Sequence, residues 1–215
     1  MHYDVYAPLK KGNYTDYKFI TEENYKDISY NLSKTITPLK AFYFPVKENV
    51  TSDSEDTKKR VVIGAAACDL KGLDVLDKIF LDEDFMDPYF QKNRDETILI
   101  GTDCYTADSS CHCTAYGTEP FPTKNADIVF SKTDDDIVLT ILSDKGDAFI
   151  SEALNSGFTE IQEFPRAITK KRNEIKELLS AKNIPNAWDS RLGIKDSSDK
   201  IWKKYAETCV SCGAC

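Results

Sequence analysis

The sequence predicts an α/β fold in which helices flank a mixed sheet, with an α+β arrangement as the alternative. Two apolar stretches, VVIG at residues 61–64 and TILIG at 97–101, read as buried strands, and a helical pattern separates them. Strand–helix–strand order is typical of parallel pairing. A later pair of strands joined by a short turn adds antiparallel pairing. A chain of 215 residues is long enough to bury a sizeable core.

The N-terminal region predicts a hairpin followed by a connection. DVYAPL and YTDYKFI are strand-like and flank a turn at Gly12–Asn13. The stretch TPLKAFYFPVKE carries aromatic residues between Pro38 and Pro45, and the charged NVTSDSEDTKKR after it predicts an exposed loop. These segments are expected to connect elements of the fold and to carry no chemistry.

Two cysteines follow the two predicted buried strands. Cys68 is expected at the turn between the first strand and an amphipathic helix, and Cys104 lies just past the second strand. The predicted apolar face of that helix comprises Leu70, Leu73, Leu76, Ile79 and Phe80. The comparable positions of the cysteines predict adjacent parallel strands with a site at their carboxyl edge.

The second half of the chain predicts two strands and then three helices. DIVFSKTDDDIVLTILSD reads as two strands joined by an Asp-rich turn, and KGDAFISEALNSGF as a helix that ends near Gly157. ITKKRNEIKELLSAK and DKIWKKYAET predict two more helices, the last leading to Cys209. The apolar positions of the first of these are Ile168, Ile175, Leu178 and Leu179. We expect residues 1–165 to form an α/β domain and residues 166–215 a helical lead-in to a further module.

Composition excludes several classes of function. The net charge of −8, with scattered lysines and arginines, lacks the basic footprint of a nucleic-acid-binding protein. The two histidines, His2 and His112, are too few for an imidazole-based site. No apolar stretch resembles a signal peptide or a membrane span, and seven cysteines is an odd number. These features predict a cytoplasmic protein in a reducing compartment, where clustered cysteines bind metal or do redox chemistry.

Cys68, Cys104, Cys111 and Cys113 form the first cysteine constellation. They have thirty-five, six and one residues between them, so three separate segments supply four thiols. Cys111 and Cys113 are two apart, and in an extended segment both side chains point to one side. A zinc ion and a [4Fe–4S] cluster each accept four thiolates, and the spacing leaves both open.

Further residues near these cysteines are candidates for supporting roles. Asp69, Asp103 and His112 are expected to orient the ligands or to substitute for one of them. A third hypothesis treats Cys111 and Cys113 as an exchanging thiol pair, which requires one exposed thiolate of low pKa.

The C-terminal run CVSCGAC is the second constellation. Cys209, Cys212 and Cys215 lie at the two-residue spacing that wraps a loop around one iron–sulfur cluster. The usual pattern continues to a fourth cysteine and a proline, which do not follow here. We therefore expect the chain to be the front portion of a longer iron–sulfur protein, and this last site to hold no stable cluster by itself.

These motifs together resemble the iron–sulfur electron-transfer subunits of anaerobic sulfite reductases and the beta subunits of sulfhydrogenase-type NiFe hydrogenases, which form one family. The resemblance rests on GAAACDLKGLDVLDKIF, DPYFQKNRDETILIGTDC, CHCTAYGTEP, the DIVF strand with its SDKG turn, and WKKYAETCVSCGAC. Family members typically have arginine-proline before the first Cys-Asp-Leu and phenylalanine inside the CxC motif. Ala66–Ala67 and His112 occupy those positions here.

The resemblance implies a cytoplasmic protein with ferredoxin-type [4Fe–4S] clusters. It would relay electrons between a flavin-containing, NAD(P)H-linked subunit and a catalytic partner that is sulfite-reductase-like or hydrogenase-like. Cys209, Cys212 and Cys215 would then be ligands of a ferredoxin cluster. No catalytic residue is expected in this chain, because the substrate would be reduced elsewhere in the complex. A zinc-stabilised interaction module without redox activity is the alternative.

Overall fold

A computed structural model of the chain describes residues 3–30, 35–44, 59–134, 137–153, 159–183, 198–207 and Cys209. The six strands are β1 (Asp4–Lys11), β2 (Tyr14–Phe19), β3 (Arg60–Ala65), β4 (Thr97–Thr102), β5 (Ile128–Lys132) and β6 (Ile137–Ile141). The helices are α1 (Ala67–Phe80), α2 (Pro88–Asp95), α3 (Asp144–Ala153), α4 (Arg166–Lys182) and α5 (Asp199–Ala206). The predicted α/β class is confirmed.

The strands form one mixed sheet in the order β2-β1-β3-β4-β5-β6. The central strands β1, β3, β4 and β5 are parallel to one another, and β2 and β6 pair antiparallel at the two edges. The predicted hairpin at Gly12–Asn13 is confirmed as β1–β2, and the predicted strand pair after residue 126 as β5–β6. Because β3 and β4 are adjacent and parallel, their carboxyl ends lie at the same edge.

Buried side chains alternate between the two faces of the central strands and make two cores. Val62 and Leu99 face α1 and α2, whereas Val61, Ile98 and Ile100 face the side that α3 covers. Side chains at successive positions of a strand point to opposite faces, so a strand buried on both faces is apolar at every position. All six residues of β4 are buried, with apolar residues in the middle and Thr97 and Thr102 at the two ends.

The connection between β2 and β3 contributes more to the core than its sequence predicts. Leu39–Phe42 forms a short 3₁₀ helix, and Leu39 and Tyr43 are 2% and 1% exposed. Phe44 packs on Phe80 and Phe90 with ring centroids 4.8 and 5.1 Å apart. Alternating aromatic residues between two prolines thus anchor this segment to α1 and α2. The predicted exposed loop, as far as residue 58, lies outside the described residues.

Helix α1 begins earlier than predicted, and its buried face is narrower. It starts at Ala67, so Cys68 lies in its first turn and not at a turn before it. Leu70 and Leu73 are buried and Leu76 and Phe80 pack partly against the core, but Ile79 is 56% exposed. The prediction for Ile79 was wrong because its position on the helix falls at the edge of the core-facing stripe.

Helices α4 and α5 lie where the sequence predicts them. In α4, Ile168, Ile175 and Leu179 are buried, but Leu178 is 55% exposed and the prediction for it was wrong. Three of the segments outside the described residues are 184–197, the predicted end of α3 near Gly157, and Asp135 with Asp136 in the Asp-rich turn. The division of the chain at residue 165 stays a prediction. Among the described helices, none combines the length and the apolar character that crossing a bilayer requires.

The surroundings of two helical glycines predict that substitution by alanine changes stability in opposite directions. Gly72→Ala in α1 adds a Cβ with no atom within 4 Å, whereas Gly146→Ala in α3 places one against the carbonyl oxygen of Asp127. We expect Gly72→Ala to raise the free energy of unfolding by about 0.5–1 kcal/mol through helix propensity. Gly146→Ala should lower it by about 1–3 kcal/mol through overpacking.

Urea denaturation followed by circular dichroism measures both changes. Equal effects of the two substitutions would contradict this packing of α3 against β5.

Candidate functional site

The four upstream cysteines meet at one cavity beyond the carboxyl ends of β3 and β4. Cys68, Cys104, Cys111 and Cys113 all line it, and its volume is about 250 Å³. That is room for several water molecules, each of which takes up about 30 Å³ in the liquid. The predicted site at this edge of the sheet therefore has a cavity with four thiols on its wall.

Two of these cysteines are positioned by the parallel strands. Cys68 stands in the first turn of α1, two residues after Ala66, which caps the helix with extended backbone. Cys104 comes two residues after the end of β4, and its backbone N–H donates to the Pro120 carbonyl at 2.9 Å. Adjacent parallel strands end side by side, so both cysteines lie at one edge.

The other two cysteines come from the loop between β4 and β5. The Asp108 backbone N–H donates to the Cys111 sulfur at 3.2 Å, and the Cys111 N–H donates to the Asp108 carbonyl at 3.1 Å. Cys113 begins a short 3₁₀ helix that ends at Tyr116. Hydrogen bonds of this kind hold a sulfur in place, and N–H donors to sulfur tune the potential of a bound cluster.

The electrostatics of the cavity disfavour free thiolates. Burial, together with the nearby Asp69 carboxylate and Cys113, raises the pKa of Cys68 to about 11. Burial also raises the pKa of Cys104 well above its usual range, and the three other thiols and Asp103 add to the effect. Burial raises the pKa of Cys113 as well.

Cys68 is exposed to solvent, yet its pKa is raised. It faces the open cavity, and protein surrounds it on its other sides. All three of these thiols are therefore held protonated near neutral pH.

The three predicted supporting residues lie in different surroundings. Asp69 lines the cavity beside Cys68, and burial raises its pKa. Asp103 is fully buried, and its carboxylate accepts hydrogen bonds from Arg172 and from the Tyr105 hydroxyl. His112 is exposed at the cavity rim and donates through Nδ1 to the Ser110 carbonyl at 2.8 Å. Their roles toward a bound group stay predictions.

Helix α4 covers the cysteine loop and contributes residues that the sequence did not assign to the site. Leu179 is 2% exposed and lines the cavity. Lys182 donates to the carbonyls of Asp108 and Ser109 at 2.8 and 2.6 Å, and Asn183 donates to the Thr114 hydroxyl at 2.7 Å. No motif marks these residues, because a lysine-rich amphipathic helix has the same pattern wherever it packs.

Glu119 is a further residue of the cavity wall that the sequence did not single out. One of its carboxylate oxygens pairs with Lys176 at 2.7 Å. The other is buried and accepts no hydrogen bond from the described part of the chain. Its carboxylate adds to the effects that raise the pKa of Cys113.

The number of thiols on the cavity wall equals the number that a group with four thiolate ligands requires. Zinc takes four sulfurs at about 2.3 Å, and a [4Fe–4S] cluster also takes four. Within the described ranges, no three Cys, His, Asp or Glu side chains are grouped as the ligands of one ion. In the second constellation Cys209 is exposed, and Cys212 and Cys215 lie outside the described residues.

The chain is similar to Sulfhydrogenase 2 subunit beta of Pyrococcus furiosus, at 27% identity over 222 aligned residues. The alignment takes in 98% of this chain and 64% of that protein, so the chain spans a little under two thirds of its length. This similarity agrees with the subunit family that the cysteine motifs resemble. No protein-family model and no solved structure matches the chain.

The raised pKa of Cys68 predicts its reactivity in the metal-free chain. Because Cys68 is accessible from the cavity, its alkylation rate reports its thiolate fraction. We expect slow alkylation at pH 8 and a rise through about pH 11, compared with a pKa of about 8.5 for a thiol in a short unstructured peptide. Mass spectrometry of peptides after timed iodoacetamide treatment measures the rate. An inflection near pH 8.5 would contradict the buried environment of this thiol.

The same raised pKa has a consequence for stability. The unfolded chain loses its thiol proton first, so stability falls as pH rises from about 9 toward 11. Urea unfolding at several pH values measures this fall.

Proposed function

We propose that this chain is an iron–sulfur electron-transfer subunit of an oxidoreductase complex. It would relay electrons between a flavin-containing, NAD(P)H-linked partner and a catalytic partner that is sulfite-reductase-like or hydrogenase-like. The observation that carries the proposal is the single cavity lined by four thiols from three separate segments. A bound [4Fe–4S] cluster would supply reversible one-electron transfer there.

The four upstream cysteines are the proposed ligands of that cluster. The cavity of about 250 Å³ has room for a polynuclear group. The Asp108 N–H aimed at Cys111 is the type of donor that stabilises a ligating sulfur. The exposed face of Cys68 supplies a short route for an electron between the cavity and the protein surface.

The raised pKa values concern the free thiols of the cavity. Burial raises the pKa of Cys113, so this thiol is a poor nucleophile and is not favoured as the attacking member of an exchanging pair. A metal centre reverses this preference, since it deprotonates a coordinating thiol and binding releases the protons. Burial that penalises the free thiolate thus suits a site that is charged only when loaded.

Similarity to a sulfhydrogenase beta subunit supports membership of a multi-subunit complex. The same proposal includes the partners named above and a cytoplasmic location. It also includes a role as ligands of a ferredoxin cluster for Cys209, Cys212 and Cys215. We also propose that residues 166–215 lead from the α/β domain into that module. Substrate chemistry would belong to the catalytic partner.

Zinc binding is the alternative, because four thiolates are also the donor set of a structural zinc site. In that case the cavity would hold the loop between β4 and β5 in shape for protein docking, and no electron would move. Metal analysis separates the two possibilities.

Metal analysis of the anaerobically prepared chain tests the proposal. We expect about four irons and four sulfides per chain, as for one [4Fe–4S] cluster, and a reduced-cluster EPR signal after dithionite. Cys111→Ser with Cys113→Ser should remove the iron, the visible absorption and the signal. The matched control Cys209→Ser lies outside the cavity and should keep all three, because we expect the C-terminal run to hold no stable cluster by itself.

Zinc without iron in the wild-type chain would favour the docking module. Iron and colour that survive the double substitution would rule out a cluster at the upstream cysteines.

A further inference from the structure

Arg172 of α4 makes an extensive, largely buried set of polar contacts near the four-cysteine cavity. Its Nε and Nη2 donate to the two Asp103 carboxylate oxygens at 2.9 and 3.0 Å, and Nη2 also donates to the Ser131 hydroxyl at 3.0 Å. The ring centroids of Phe121 and Phe164 lie 4.5 and 4.8 Å from the guanidinium carbon. A planar guanidinium group can donate two hydrogen bonds to one carboxylate while it stacks on aromatic rings. A lysine ammonium group cannot make both kinds of contact.

We propose that Arg172 is a positioning residue that holds α4 closed over the four-cysteine cavity. The proposal rests on the function proposed above for that cavity. Asp103 lies between the end of β4 and Cys104, so the ion pair joins α4 directly to the chain segment that carries a candidate ligand. Ser131 on β5 ties the same guanidinium to the next strand.

The relative strengths of the contacts single out Arg172 among the charged residues of α4. The Lys176–Glu119 pair has side chains 48% and 35% exposed, and exposed pairs of this kind contribute about 0–1 kcal/mol. The contacts of Lys182 are also exposed. Asp103, by contrast, is 0% exposed, so removing its partner leaves a buried charge unpaired. Closure of α4 therefore depends on this pair more than on the lysines at the loop.

The position of the ion pair adds an electrostatic effect on a bound cluster. Asp103 precedes Cys104 directly, and Arg172 compensates its negative charge. Without that compensation, the field of the carboxylate would oppose the addition of an electron, since nearby charge and hydrogen bonding set cluster potentials. The reduction potential would then become more negative.

Alkylation of the metal-free chain tests the closure. Cys104 is 9% exposed, and Leu179 of α4 lines the same cavity, so opening the helix should expose this thiol. We expect Arg172→Gln to speed alkylation of Cys104 at least tenfold relative to Cys209 in the same molecule. Arg172→Lys should give a smaller increase. The control Lys170→Gln alters an exposed residue of the same helix that pairs with Glu174 at 3.9 Å, and should change nothing.

Circular dichroism and thermal unfolding establish that each variant is folded. An unchanged ratio of Cys104 to Cys209 alkylation in folded Arg172→Gln overturns the proposal. If Arg172→Gln does not fold, Arg172→Lys is the deciding variant. A Cys104 to Cys209 alkylation ratio in Arg172→Lys equal to that in Lys170→Gln then overturns the proposal.

Redox titration of the iron-loaded chain gives a readout that loosened packing alone would not produce. We expect a more negative potential in Arg172→Gln, a potential near wild type in Arg172→Lys, and recovery when Asp103→Asn is added to Arg172→Gln. A reduction potential in Arg172→Gln equal to that of wild type would contradict the electrostatic effect. If the wild-type chain holds no iron, the proposed function fails, and the alkylation ratio still decides the closure.

Discussion

The parallel pairing of β3 with β4 is the constraint on which the arrangement of the site depends. It brings the first turn of α1 and the segment after β4 to the same edge of the sheet, so that Cys68 and Cys104 line one cavity. Gly64 permits a bulge just before this edge, with a backbone φ of +91° and the Pro8 ring too close for a Cβ. The burial of β4 on both faces then makes this edge a rigid support for a bound group.

The cavity concentrates groups whose ionised forms are unfavourable together in the absence of a cation. Four thiols and the Asp69 carboxylate lie at its wall, and burial raises the pKa of Cys68 and of Asp69. Local disagreement between sequence chemistry and burial is typical of functional sites. The surrounding sheet and helices supply the stability that keeps the loop closed despite this. The arrangement is thus consistent with a site whose thiols lose their protons only when a metal centre binds.

Helix α4 connects this chemistry to the rest of the chain. It packs Leu179 against the cavity, and its Arg172 pairs with Asp103 over a sequence separation of 69 residues. The chain then continues toward α5 and Cys209, the first cysteine of the C-terminal run. One helix therefore contacts the upstream site and precedes the segment proposed to hold a further cluster.

The sequence by itself determined the strand–helix–strand order, the hairpin at Gly12–Asn13, and the segments that carry the four upstream cysteines. These follow from local periodicity and turn chemistry, which act over a few residues. Only the tertiary structure decided that Arg172 and Leu179 belong to the cysteine site and that Leu178 and Ile79 face outward. The same helical pattern is compatible with several rotations of a helix. The packing partner that selects one of them is distant in sequence, so no local signal specifies it.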